Sequence, residues 1–152
     1  MKYIRGNRID PFDVAKDFVE SYKRCLHEDK NHHHVSIPGF VNGFFACELF
    51  MKLLCKENIY DHDLSVIFNH LNSEEQKKLV DRFDIKTNDN LTFEEFLKKV
   101  SNGFGFWRYV FEPKNKEFED LFPFEYSEKF LQKYLPILEK MAKEHNNASS
   151  EN

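Results

Sequence analysis

Residues 41–55, VNGFFACELFMKLLC, are the most apolar stretch of the chain and decide its fold. Ala46, Leu49 and Met51 are good helix formers, and apolar side chains occupy nearly every face of the helix that they would form. A helix that is apolar almost all round is buried among other elements. The sequence therefore predicts a central helix here, with the rest of the chain packed around it.

Amphipathic segments flank this stretch, because apolar residues recur there at the three- and four-residue spacing of a helix. The expected helix starts are Asp10 before Pro11, the capping boxes Ser73 with Gln76 and Thr92 with Glu95, and Ser127. No segment shows the two-residue period of a strand. We predict an all-α, up-down bundle of five or six helices, forming a single domain over residues 1–145, with a disordered tail at 146–152.

Composition narrows the class of protein. Hydrophobic residues make up 41% and charged residues 32% of the 152 residues, which supports a folded core and a solvated surface. The net charge of −4 argues against a protein that coats duplex nucleic acid. It does not exclude a local basic groove. Residues 1–10 are mixed and charged and do not resemble the apolar segment of a signal peptide. The cysteines form no CxxC pair. Because Glu48 and Lys52 interrupt the longest apolar run, we expect no membrane span and a cytoplasmic location.

Glu48 and Lys52 stand four residues apart inside the apolar helix. Side chains at this spacing lie on one helix face, and an unpaired charge in apolar surroundings is costly. Two interpretations follow. The two residues form a mutual ion pair at the edge of the core, or they line a polar cleft and contact a ligand.

A second polar group lies within residues 106–112, FWRYVFE. If this segment is helical, Arg108, Tyr109 and Glu112 present a guanidinium, a phenol and a carboxylate within about one turn. Arg108 could grip a phosphate or carboxylate with two parallel hydrogen bonds, or brace the fold by crossing to Glu48. The complementary charges predict one polar cluster of Glu48, Lys52, Arg108, Tyr109 and Glu112.

His62 and Asp63 begin a short helix predicted over residues 61–71. Asp63 is expected to cap this helix. His62 is a candidate acid–base group, although the sequence supplies no orienting partner for it. The histidines at 32–34 lie in a polar loop without the spacing of a metal site, so we expect no metal and no cofactor.

Three segments, in this order, resemble motifs of the HEPN superfamily: IPGFVNGFFACELFMKLL at residues 37–54, HDL at 62–64 and FWRYVFE at 106–112. The resemblance covers roughly residues 10–112. It implies an all-helical and often dimeric bundle. It also implies a link to RNA cleavage, nucleotide binding, or toxin and phage-defence systems.

The chain departs from this superfamily in one motif. Its ribonucleases carry an Arg, then four to six intervening residues, and then a His. After Arg108 the positions where this His would stand, 113–115, hold Pro, Lys and Asn. After Arg24, two residues intervene before His27 and seven before His32. The resemblance therefore implies an RNA- or nucleotide-binding module of a defence, toxin–antitoxin or regulatory system, without the standard ribonuclease motif.

Two alternatives stay open. One is an RNA-cleaving toxin with a non-standard site of Arg108, His62 and Glu48, which would be a metal-independent endoribonuclease. The other is a pure protein-interaction subunit. An antitoxin or a nucleotidyltransferase-like protein is the partner that the resemblance implies.

The aromatic content predicts self-association. Seventeen Phe in 152 residues are more than a small bundle readily buries. Six of them crowd one stretch that is rich in Gly and Pro: Phe104, Phe106, Phe111, Phe118, Phe122 and Phe124. Exposed aromatic patches mark interfaces, and two-fold dimers are the commonest oligomers, so we expect a homodimer. The alternative is an aromatic lid folded over the core.

Overall fold

In a computed structural model, which describes residues 4–5, 8–109 and 124–150, the most apolar stretch forms the central helix, as predicted. This helix, Ser36–Leu54, buries side chains on nearly every face. By length and composition alone, it is the one helix among the described residues that could cross a membrane. In the structure, four other helices pack against it.

The all-α prediction is confirmed, and the described residues contain seven helices against the five or six predicted. They are α1 (Pro11–Leu26), α2 (Ser36–Leu54), α3 (Leu64–Asn69), α4 (Ser73–Val80), α5 (Phe93–Val100), α6 (Gly103–Arg108) and α7 (Phe124–Ser150). Helix α2 contacts α1, α3, α6 and α7, and α5 contacts α3 and α7. Two short strands, β1 (Ile4–Arg5) and β2 (Arg8–Ile9), pair antiparallel before α1 and were not predicted. Helix α7 continues through residues 146–150, where the sequence had predicted the beginning of a disordered tail.

Side chains that accept backbone N–H groups fix the helix starts. Asp10 caps α1 by accepting from the amide of Phe12 at 2.9 Å. Thr92 and Glu95 form the predicted capping box of α5, because each side chain accepts from the backbone amide of the other. These two predictions are confirmed.

Two other predicted caps are wrong. Asn72, rather than Ser73, caps α4, because its side-chain oxygen accepts from the amide of Glu75 at 2.9 Å. Ser127 lies inside α7 instead of at its start. Its buried hydroxyl accepts the indole N–H of Trp107 at 2.8 Å, so the residue joins α7 to α6.

Aromatic rings fill the centre of the bundle. Phe44 of α2 stacks on Phe130 of α7 with ring centroids 5.7 Å apart, and Phe130 contacts Phe96 and Tyr134. The hydroxyl of Tyr134 donates to the backbone oxygen of Leu79 at 3.1 Å. Burial raises the pKa of Tyr134 far above its ordinary value, so this hydroxyl stays a donor at any physiological pH.

Helix α6 forms although its segment contains two glycines, Gly103 and Gly105, which are poor helix formers. Phe106 and Trp107 are buried, while Phe104 is half-buried and Phe124 is 46% exposed. The other members of the aromatic-rich stretch, Phe111, Phe118 and Phe122, lie outside the described residues. The homodimer and the aromatic lid therefore both stay predictions.

Candidate functional site

Glu48 lies in the middle of α2 and is only 1% exposed. Its Oε1 accepts from Lys52 Nζ at 2.8 Å and lies 2.9 Å from His62 Nδ1. Its Oε2 is buried and has no hydrogen bond to the residues that the structure describes. The predicted pair of Glu48 with Lys52 is confirmed. His62, fourteen residues along the chain, is the partner that spacing on one helix could not reveal.

The segment that carries His62 is held in place by Asp63. This carboxylate caps α3, which begins at Leu64 rather than at residue 61, by accepting from the amides of Ser65 and Val66. The Ser101 hydroxyl donates to Asp63 at 3.1 Å, and the Ser101 carbonyl accepts from Leu64 N at 3.0 Å. These bonds join the start of α3 to the end of α5 and so hold the backbone next to His62.

The same bonds change the acidity of Asp63. Partial burial opposes ionisation, but the hydrogen bonds from Ser65, Val66 and Ser101 together outweigh it and hold the pKa of this carboxyl below its ordinary value. A lowered pKa means that the ionised form stabilises the folded state. This contribution is present at neutral pH and is lost when acid protonates the carboxyl. The structure thus assigns Asp63 the capping role that the sequence predicted.

His62 presents most of its ring to solvent, since its side chain is 64% exposed while that of Glu48 is buried. An ionised carboxylate can only accept hydrogen bonds, so the hydrogen in the 2.9 Å contact belongs to His62 Nδ1. In the neutral imidazole, Nε2 then carries the free lone pair. A buried carboxylate behind an exposed imidazole is an arrangement that orients a histidine for proton transfer or for ligand binding.

Arg108 and Tyr109 lie at the end of α6, and Phe104 connects them to His62. The guanidinium carbon of Arg108 is 5.7 Å from the centroid of the Phe104 ring and 5.3 Å from that of Tyr109. The His62 ring lies 6.3 Å from the same Phe104 ring. All three distances are typical of cation–π and aromatic contacts. We call these four residues, His62, Phe104, Arg108 and Tyr109, the His62–Arg108 surface.

The single polar cluster predicted from sequence is thus divided in two. The Glu48 carboxylate contacts Lys52 and His62, whereas the Arg108 guanidinium contacts the rings of Phe104 and Tyr109. The structure shows no ion pair between Arg108 and Glu48, the brace that was one of the two roles considered for Arg108. Arg108 is exposed and Tyr109 is 41% exposed. Glu112, the remaining predicted member, lies outside the described residues.

Phe104 is the site residue that sequence reasoning missed. It stands four residues before Arg108, which in a helix places both on one face. The flanking Gly103 and Gly105 obscured this signal, because glycines at this density suggest a break. The Phe104 ring stacks on that of Phe45 of α2, with ring centroids 4.8 Å apart.

The histidine-rich loop after α1 is organised by a carboxylate. Asp29 lies 3.2 Å from His27 Nε2 and 2.9 Å from His32 Nδ1. Hydrogen bonds from the Asn31 amide and from these imidazoles keep the pKa of Asp29 below its ordinary value. Within the described ranges, no three His, Cys, Asp or Glu side chains are grouped closely enough to hold a metal ion.

Compared with known proteins, the chain matches no family model, no curated protein and no solved structure.

Proposed function

We propose that this protein binds single-stranded RNA through the His62–Arg108 surface. The observation that carries the proposal is the position of Phe104. Its ring contacts both the exposed His62 imidazole, which the buried Glu48 holds, and the exposed Arg108 guanidinium. One small surface thus offers a phosphate-binding group, an oriented imidazole and aromatic rings.

Each of these groups suits an unpaired nucleotide. A guanidinium fork grips a phosphate with two charge-assisted hydrogen bonds. The part-exposed ring of Tyr109 can stack on a base, which is how proteins commonly hold single-stranded RNA. Because the net charge of the whole chain is −4, the attraction for RNA must come from this local group rather than from the overall field.

The HEPN-like motifs support the same ligand class, since HDL at 62–64 and FWRY at 106–109 contribute His62, Arg108 and Tyr109. On that resemblance we also propose that the protein serves a defence, toxin–antitoxin or regulatory system, as a homodimer or with an antitoxin or nucleotidyltransferase-like partner.

The first prediction concerns Arg108. Replacing Arg108 by Ala should weaken binding of a labelled single-stranded RNA oligonucleotide by about tenfold, because a charge-assisted hydrogen bond to phosphate is lost. Fluorescence anisotropy at fixed ionic strength measures the dissociation constant, and a salt series gives the number of phosphate contacts.

Arg82→Ala is the matched control, since Arg82 is exposed just beyond the end of α4 and the substitution removes the same charge. Binding by the Arg82→Ala variant should equal that of the parent protein. Equal weakening by both substitutions would show that RNA responds to overall charge, and the His62–Arg108 surface would then lose its role.

A second candidate function, metal-independent RNA cleavage, is favoured by the contact between Glu48 and His62. With Nδ1 bound to Glu48, Nε2 of His62 can take the proton of a ribose 2′-hydroxyl. The 2′-oxygen then attacks the adjacent phosphorus, and the bond to the 5′-oxygen breaks after Arg108 has neutralised the phosphate. The leaving oxygen takes up a proton, and the products are a 2′,3′-cyclic phosphate and a 5′-hydroxyl.

The second prediction tests this candidate with RNA and purified protein in excess chelator. Cleavage should fall by about 10²- to 10⁴-fold in His62→Ala and by about 10- to 100-fold in Glu48→Gln, which removes the orienting charge. His33→Ala, in the exposed loop after α1, is the control and should leave the rate unchanged. Cleavage that survives in His62→Ala would exclude this site as its source. RNA binding without any cleavage by the parent protein would rule out the second candidate and leave RNA binding as the proposed function.

A further inference from the structure

Tyr22 of α1 is a buried side chain with an unused hydroxyl. The residue is 7% exposed, yet its hydroxyl makes no hydrogen bond to any residue that the structure describes. The other buried tyrosines of the described ranges, Tyr126 and Tyr134, each donate to an acceptor. The Tyr22 oxygen is also still accessible, because the enclosed side-chain oxygens that lack a partner in these ranges are those of Glu48 and Glu75. Buried polar groups almost always have a partner, so an accessible one without a partner indicates a place for a ligand.

Tyr22 lines a cavity of about 260 Å³ between α1 and α7. Most of the wall is apolar and consists of Val19, Leu131, Leu135 and Pro136. A water molecule takes about 30 Å³ of liquid, so the cavity has room for a molecule of roughly nine non-hydrogen atoms. The accessible hydroxyl of Tyr22 therefore borders a space that a small apolar molecule can fill.

Pro136 leaves a hydrogen-bond acceptor at the same cavity. It lies inside helix α7. Because proline has no N–H, the backbone carbonyl of Gln132, four residues earlier, lacks its helical donor. Gln132 and Pro136 both line the cavity, so the missing hydrogen bond lies beside it. The cavity thus offers one donor, the Tyr22 hydroxyl, and one acceptor, the Gln132 carbonyl.

The surroundings favour a neutral ligand. Lys23, the cationic side chain of the lining, lies 3.3 Å from Glu20, and the carboxylate of Glu139 lines the same cavity, so an anion would find no free cation there. A cation would lose its hydration against apolar walls and would give the Tyr22 hydroxyl no acceptor. Burial raises the pKa of Tyr22 to about 12, which keeps this hydroxyl a neutral donor at physiological pH.

We propose that this cavity binds a small neutral molecule that has an apolar body and one hydroxyl group. A hydroxyl both accepts and donates, so it accepts from Tyr22 and donates to the carbonyl of Gln132. The apolar body lies against Val19 and Leu135. The site uses none of the residues of the His62–Arg108 surface and stands independently of the function proposed above.

The experiment titrates p-cresol into protein labelled with ¹³C at the leucine and valine methyl groups. The methyl signals of Val19 and Leu135 should shift and saturate, whereas those of Leu97, buried in the core on α5, should not move. Toluene, which has the same ring and methyl group without the hydroxyl, should bind about tenfold more weakly. Toluene binding as tight as that of p-cresol would overturn the proposal, as would no shift with p-cresol.

Tyr22→Phe removes only the hydroxyl and keeps the ring. The variant should bind p-cresol about three- to tenfold more weakly and toluene unchanged. Since the hydroxyl has no partner among the described residues, the midpoint of urea unfolding without ligand should not fall. Tyr60→Phe, the same change on a tyrosine that is 87% exposed, is the control and should bind as the parent does. An unaltered preference for p-cresol over toluene in Tyr22→Phe would refute the site.

Pro136→Ala tests the other contact. Alanine restores the N–H that bonds the carbonyl of Gln132 inside the helix. The variant should therefore unfold at a higher urea concentration and bind p-cresol more weakly. A higher midpoint with unaltered binding of p-cresol would refute the contact with Gln132 on which the choice of a hydroxyl rests.

A last comparison identifies the source of the hydroxyl. n-Heptanol carries the same group as p-cresol on an aliphatic body of equal size. Tighter binding of p-cresol would indicate a phenol, and tighter binding of n-heptanol would indicate an aliphatic alcohol. Either order supports a hydroxyl site.

Discussion

Replacing Trp107 by Ala should lower the free energy of unfolding by about 3–5 kcal/mol, the usual cost of removing a large buried aromatic side chain. The indole is 6% exposed and contacts the rings of Phe40, Phe106 and Phe124 at centroid distances of 5.0 to 6.0 Å. Its N–H donates to the buried hydroxyl of Ser127. A domain of this size is stable by about 5–15 kcal/mol, so the substitution removes a large part of the total.

Urea unfolding followed by far-UV circular dichroism measures the change, because the variant no longer contains a tryptophan. Trp107→Phe is the matched control: it keeps a ring in the same place and loses mainly the hydrogen bond to Ser127, so we expect a loss of about 1–2 kcal/mol. A loss below about 1 kcal/mol in Trp107→Ala would mean that α6 is not anchored by this side chain.

The anchoring of α6 matters for function, since the helix carries Phe104 three residues before the buried Trp107 and Arg108 directly after it. A helix of only six residues has little stability of its own. Its orientation therefore depends on what Trp107 and Gly103 contact. Under the proposed function, a loosened α6 should also weaken RNA binding, even though neither Trp107 nor Gly103 belongs to the His62–Arg108 surface.

Those parts of the fold that depend on local pattern were predicted from the sequence. The all-round apolar character of residues 41–55 correctly indicated the buried central helix, and the Asp10 cap and the Thr92–Glu95 capping box are as expected. Such signals extend over one or two helical turns, so neighbouring residues along the chain are enough to read them.

Caps that compete with tertiary contacts were not predictable in this way. Asn72 and Ser73 are both good capping residues, and spacing alone favoured Ser73 because Gln76 completes a capping box. In the structure the side-chain amide of Gln76 donates instead to the backbone carbonyl of Phe68, near the end of α3. Ser127 was similarly interpreted as a cap, whereas its hydroxyl is bound to Trp107.

In the candidate site, too, the contact within one helix was predicted from sequence and the contacts between elements were not. The pair of Glu48 with Lys52 follows from a four-residue spacing on one helix. The contact of Glu48 with His62 joins α2 to the loop before α3, and no periodicity in the sequence encodes it. The position of Phe104 between His62 and Arg108 depends on how α6 docks, which in turn depends on two glycines that suggested a break.

These glycines supply the second large prediction. A Cβ built on Gly103 would lie 2.7 Å from three ring carbons of Phe44, which is fully buried and stacked on Phe130. Neither ring can move away without displacing others in a close-packed core. We expect Gly103→Ala to lower the free energy of unfolding by about 3 kcal/mol, at the upper end of the usual cost of overpacking.

Gly105→Ala is a matched control within the same helix. Its Cβ would approach the Asn102 side chain at 2.8 Å, but Asn102 is exposed and can rotate into solvent. Alanine is also favoured over glycine inside a helix by about 0.5–1 kcal/mol. Gly105→Ala should therefore be neutral or slightly stabilising, and urea unfolding of the two variants measures the contrast. Equal stability of both variants would show that α6 does not pack against Phe44 as closely as described, and the placement of Phe104 and Arg108 beside His62 would lose its structural basis.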